Sequence, residues 1–155
     1  MATKKSAWTA FPSPNKAFFY DGPALAKAWK SLHTGDGEPY PDDKRAAQLI
    51  KSAGKSAPKG VPAGDLAEQL QSAWRAFHAG EFEQAYQQGI ALGPVGASVA
   101  AKAMGIHATY LVKKDDDKLT RFQEVAEIGE QAVAALPKEA NSHYRLAFGY
   151  GRYGQ

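Results

Sequence analysis

The chain has 155 residues, 44% of them apolar and 23% charged, with no cysteine. That is enough for a globular core and excludes a disulfide framework and thiolate chemistry. The net charge of +3 divides into +5 over residues 1–64 and −2 over residues 65–155, and no apolar run of signal-peptide or membrane-span type occurs, which predicts a cytoplasmic protein.

Residues 1–21 are rich in proline and aromatics (Trp8, Phe11, Phe18, Phe19, Tyr20), the pattern of an extended arm. Large apolar side chains gain roughly 1.5–3 kcal/mol each on burial, so residues 8–20 are expected to dock on the body near Trp29. Asp21-Gly22-Pro23 is a helix start, and Leu25, Ala28, Trp29 and Leu32 form an apolar stripe stopped by Gly35. A loop from Thr34 to Pro41 leads to a helix at Asp42–Ala53, with Asp42 and Asp43 at its positive end. Residues 54–64 make a basic, Gly/Pro-rich linker. This gives an N-terminal extension over residues 1–63 and a helical domain over residues 64–155.

In the second part Asp65 is expected to cap a helix running to Ala79, with Glu68 at the capping-box position. A further helix ends at Leu92 before Gly93-Pro94, and another covers Ala97–Val112. Lys113–Thr120 reads as a polar turn and Arg121–Leu136 as a helix ending at Pro137, and no strand signal appears. The expected class is all-α.

The segment Leu136-Pro137-Lys138-Glu139-Ala140-Asn141-Ser142-His143-Tyr144-Arg145-Leu146-Ala147 closes one helix and opens the next. It resembles the start of a tetratricopeptide repeat (TPR), and Gly80-Glu81-Phe82-Glu83-Gln84-Ala85 is similar to the turn inside one. With Gly80 as turn glycine, and Gly105 and the Leu146-Ala147 pair as helix-A positions, repeats fall near 66–97, 98–139 and 140–155, the last partial. The second exceeds the usual period of about 34 by the length of Lys113–Thr120, which reads as an insertion. Ala76, Gly89 and Gly129 depart from the pattern, which favours an aromatic at each position. The resemblance implies an α-solenoid of antiparallel helix pairs and a non-catalytic role as an interaction module or scaffold.

Its implied binding surface is the concave face of the first helices of each pair, which takes a protein or peptide segment. The candidates are Trp74 and Phe77, then Lys102, Thr109 and Tyr110, then Asn141, Tyr144, Arg145 and Arg152. Their mix of cations and aromatics suits carboxylates with apolar anchors. TPR domains that clamp a chaperone's C-terminal carboxylate carry paired Lys and Asn positions; Lys102 fits one, but Ile106 stands where an Asn belongs. The chain stops at Gln155, where the partner helix of a third repeat is due. That leaves Tyr144, Phe148, Tyr150 and Tyr153 to meet either further chain or a second copy, with self-association through residues 140–155 expected.

Other motifs carry little. Gly149-Tyr150-Gly151-Arg152-Tyr153-Gly154 matches G-x-G-x-x-G but follows a helix, where small residues at a helix crossing explain it better than a nucleotide. Asp115-Asp116-Asp117 lacks the alternation of a cation loop. His33, His78, His107 and His143 lack metal-ligand spacing: His33 and His78 sit in last turns that favour imidazolium, and His107 reads as a core residue. No cofactor, metal or catalytic residue is predicted. The alternative function is a nucleic-acid-associated protein using the basic, aromatic N-terminal half.

Overall fold

The computed structural model describes residues 8–155, so Lys4 and Lys5 of the basic arm lie outside the described residues. It is all-α, with no strand among the described residues: α1 (Ala24–Leu32), α2 (Asp43–Ala53), α3 (Ala63–His78), α4 (Phe82–Ala91), α5 (Ala97–Tyr110), α6 (Asp115–Ala135) and α7 (Ala140–Tyr153). Asp42 caps α2 by accepting from the Arg45 amide. Gly80 takes a φ of +82° in the turn between α3 and α4, a conformation that glycine adopts without a Cβ penalty.

Two helix starts differ from expectation. Helix α3 begins at Ala63 behind Pro62, so Asp65 sits in its first turn and complements the dipole instead of capping it. Helix α6 begins at Asp115, and Lys113–Thr120 is not an inserted turn. Three carboxylates in a first turn stabilise a helix N-terminus, so the polar run extends α6.

Each helix from α2 to α7 packs on the next, and the alternate pairs α3–α5 and α5–α7 also touch. Burial of apolar faces drives this stacking. Leu25, Trp29, Trp74, Phe82 and Val99 form one cluster, and Leu49, Leu66, Leu70, Leu92 and Leu136 a second. Met104, Val125, Ile128 and Ala132 form a third between α5 and α6. Ala103 and Ala132 are buried in these contacts. Helices α6 and α7 approach closely: a Cβ on Gly129 would lie 2.6 Å from Leu146 Cα, and one on Gly149 would lie 2.6 Å from the Ala126 amide nitrogen. The small residue that α7 brings to this crossing is Gly149, whereas Ala147 is exposed and Leu146 only half-buried, contrary to the packing expected of the Leu146-Ala147 pair. Of the three glycines in the 149–154 motif, only Gly149 serves the crossing, and Gly151 faces open space.

The arm docks: Trp8, Phe11 and Tyr20 pack against the cluster that holds Leu25 and Trp29 of α1, although the ring contacts of Trp8 and Phe11 are with later helices. The Trp8 ring lies 4.4 Å from the Arg121 guanidinium and packs on His107 and Tyr86, while the Thr9 amide donates to His107 Nε2 at 2.9 Å. Phe11 packs on Phe82, Arg75 donates to the carbonyls of Tyr20 and Gly22, and Phe18 and Phe19 remain exposed. Trp8 thus sits on residues of α4, α5 and α6, its ring face met by the Arg121 cation.

Candidate functional site

The site is built where α5 and α7 lie side by side. Ser98 and Lys102 stand four residues apart on α5, and Asn141 and Arg145 four apart on α7, so each pair shares a helix face. Across these four side chains runs the loop between α1 and α2. Asp36 Oδ2 accepts from Lys102 Nζ at 2.5 Å and from Arg145 at 2.8 Å, and Asp36 Oδ1 lies 2.9 Å from His33 Nδ1. Glu38 accepts from Ser98 Oγ at 2.7 Å and from Asn141 Nδ2, with Arg145 3.8 Å away. Trp29 Nε1 donates to the Glu38 carbonyl at 2.6 Å, which fixes the loop's backbone. Both carboxylates thus have donors on both helices.

Burial governs the electrostatics. It would raise the Asp36 pKa, but hydrogen bonds from His33, Lys102 and Arg145, with the Lys102 charge, overcome it and hold the carboxyl well below the usual carboxylate range. The same burial pushes the Lys102 ammonium pKa down, opposed by its bond to Asp36. Lys102 also lies 5.7 Å from the Trp74 centroid and 5.2 Å from that of Phe77. His33 Nε2 meets His78 Nε2 at 3.1 Å, and one proton serves that contact. Burial, then the charges of His33 and Lys102, lowers the His78 pKa to about 4. His78 is thus neutral at pH 7, contrary to the imidazolium expected for a last-turn residue.

Of the residues expected on the concave face, Lys102, Asn141 and Arg145 do come together, in one network. Arg145 is only 5% exposed and Trp74 2%, so neither is the open groove residue expected. Trp74 instead packs edge-on against Trp29 and Phe77, in the core. Tyr110 is 74% exposed and stands apart from the network, because α5 turns it about 100° away from Thr109. Arg152 lies over Phe122 and Phe148 and donates to Thr109 Oγ at 3.4 Å, continuing the α5–α7 contact beyond Arg145. Tyr144 is half-exposed beside Arg145, and Phe77 is half-buried under Lys102.

Next to Asp36 the face opens into a cavity of about 210 Å³. Leu32, Ile106 and Phe148 give it an apolar wall, and Lys102, Arg145 and Tyr144 a polar one. Sequence reasoning missed Asp36, Glu38, Ser98 and the role of His33. The available signal was Gly35-Asp36-Gly37-Glu38, two carboxylates between glycines in an otherwise basic half of the chain. Among the described residues no cluster of His, Asp and Glu suits a metal ion. No helix among them is long and apolar enough to cross a membrane. Comparison with known protein families, curated proteins and solved structures finds no match.

Proposed function

We propose that α3 to α7 form a TPR-like stack of helix pairs that serves as a non-catalytic, cytoplasmic interaction module. Its α5–α7 face binds a peptide segment bearing carboxylates and an apolar anchor. One observation carries this reading: an acidic segment lies across both helices, its two carboxylates held by Ser98, Lys102, Asn141 and Arg145. The cavity walled by Leu32, Ile106 and Phe148 lies beside them and has the size of a side chain. Contacts between alternate helices and the Gly80 turn support the repeat-like stacking. A non-catalytic role fits a cluster whose ionisable groups spend their hydrogen bonds on one another.

A nuclear magnetic resonance titration with the peptide Asp-Gly-Glu-Pro-Tyr, taken to millimolar concentration, tests this. Resonances of Ile106, Tyr144 and Phe148 should shift, and the Asn-Gly-Gln-Pro-Tyr analogue should leave them in place. Equal shifts with both peptides would contradict carboxylate recognition. Tight oligonucleotide binding that collapses with salt would favour the nucleic-acid alternative instead.

A further inference from the structure

We infer that residues 34–39 are an internal occupant of the peptide face, and that the partner is a segment carrying two carboxylates one residue apart, in the pattern of Asp36-Gly37-Glu38. The inference rests on the function proposed above. The loop meets the face as a bound peptide would. Its acidic side chains point onto α5 and α7, while Thr34, Gly35, Gly37 and Pro39 are exposed. Gly37 has a φ of +58°, a reversal open to glycine that lets both carboxylates reach the same face. The loop also holds its own shape: the Gly37 amide donates to the His33 carbonyl at 2.8 Å and the Glu38 amide to Asp36 Oδ1 at 3.3 Å.

Charge balance determines what can replace it. Lys102 and Arg145 are largely buried, so removing the loop's carboxylates without substitution leaves two cations unpaired in a desolvated site, which is strongly unfavourable. Exchange for another segment's carboxylates keeps every charge paired. The exchange is therefore opposed by the tether, which gives the loop a millimolar effective concentration against a free competitor, and by the Trp29 bond to the Glu38 carbonyl. An apolar or basic segment cannot make this exchange. A diacidic segment can, and an apolar residue beside its carboxylates would enter the cavity lined by Ile106 and Phe148.

The test is rescue in trans. Melting temperatures are measured for the wild type, for Asp36→Asn and for the milder Glu38→Gln, each with and without Asp-Gly-Glu-Pro-Tyr. The peptide should raise the melting temperature of the loop variants by about 3–5 °C at ten times its Kd, and bind them at least tenfold more tightly than it binds the wild type. Equal affinity for wild type and both variants would overturn internal occupancy while leaving the peptide face intact. Binding to none of the three would overturn the peptide face itself, and the inference with it. Glu38→Gln keeps the Asp36 contacts, so it supplies the comparison if Asp36→Asn does not fold.

Discussion

Replacing Asp36 with alanine should cost the fold about 3–5 kcal/mol, the usual loss when one member of a buried ion cluster is removed. The Asp36 side chain is 4% exposed and binds two cations and His33. Its loss leaves Arg145 and Lys102 in a low-dielectric site without their shared counter-ion, and desolvation is then uncompensated. For a chain of this size that loss is a fall of about 10 °C or more in melting temperature. Urea unfolding measures it directly. The double variant Asp36→Ala with Arg145→Met should lose less than the sum of the two single changes, because the second removes a charge that the first has stranded. Loss of under 1 kcal/mol for Asp36→Ala would mean that water reaches these cations easily, contrary to their burial.

Acid should unfold this protein far more readily than a carboxylate count suggests. His78 and His107 both have folded pKa values lowered from 6.5 to about 4. For His78 the causes are burial, then the charges of His33 and Lys102; for His107 they are burial, then the Arg121 charge. A base with a depressed folded pKa takes up its proton in the unfolded state first. The stability is therefore fully present above about pH 6.5 and is lost as pH falls towards 4. Each histidine removes up to about 3 kcal/mol over that window, and between pH 6 and 4.5 the combined slope approaches 2.7 kcal/mol per pH unit. Below pH 4 Asp36 adds to the loss, since its folded pKa lies under its unfolded one. Urea midpoints at pH 7.5, 6, 5 and 4.5 give the slope. His78→Gln should roughly halve it. A flat profile from pH 7 to 4.5 would show that neither folded pKa lies below its unfolded value.

The two predictions rest on features that differ in how well the sequence exposes them. Local signals were readable: the acidic start of α2, the Gly80 turn and the stripe that buries Leu25 and Trp29 all come from neighbours within a few residues. The expectation that Lys102, Asn141 and Arg145 share a face came from the resemblance to a helical repeat, because helical periodicity alone relates residues within one helix and not between two. What lay on that face was not readable. Asp36 reaches Lys102 and Arg145 across 66 and 109 residues, and no periodic signal links a ten-residue loop to a helix so distant. That Gly149 rather than Ala147 meets α6 has a related cause. Both residues are small, and only the approach of α6 decides which one is crowded. Asp115–Asp117 misled because polar residues suit a turn or a helix N-terminus equally well.

Amide hydrogen exchange across the loop between α1 and α2 tests the central claim most directly. In the free protein the Gly37 and Glu38 amides are hydrogen-bonded, to the His33 carbonyl and the Asp36 carboxylate, and should exchange slowly. When Asp-Gly-Glu-Pro-Tyr saturates the protein, those two amides should lose protection while α5 and α7 keep theirs. Unchanged protection at Gly37 and Glu38 in the saturated protein would contradict the account, because the peptide would then be binding somewhere other than on the face the loop covers.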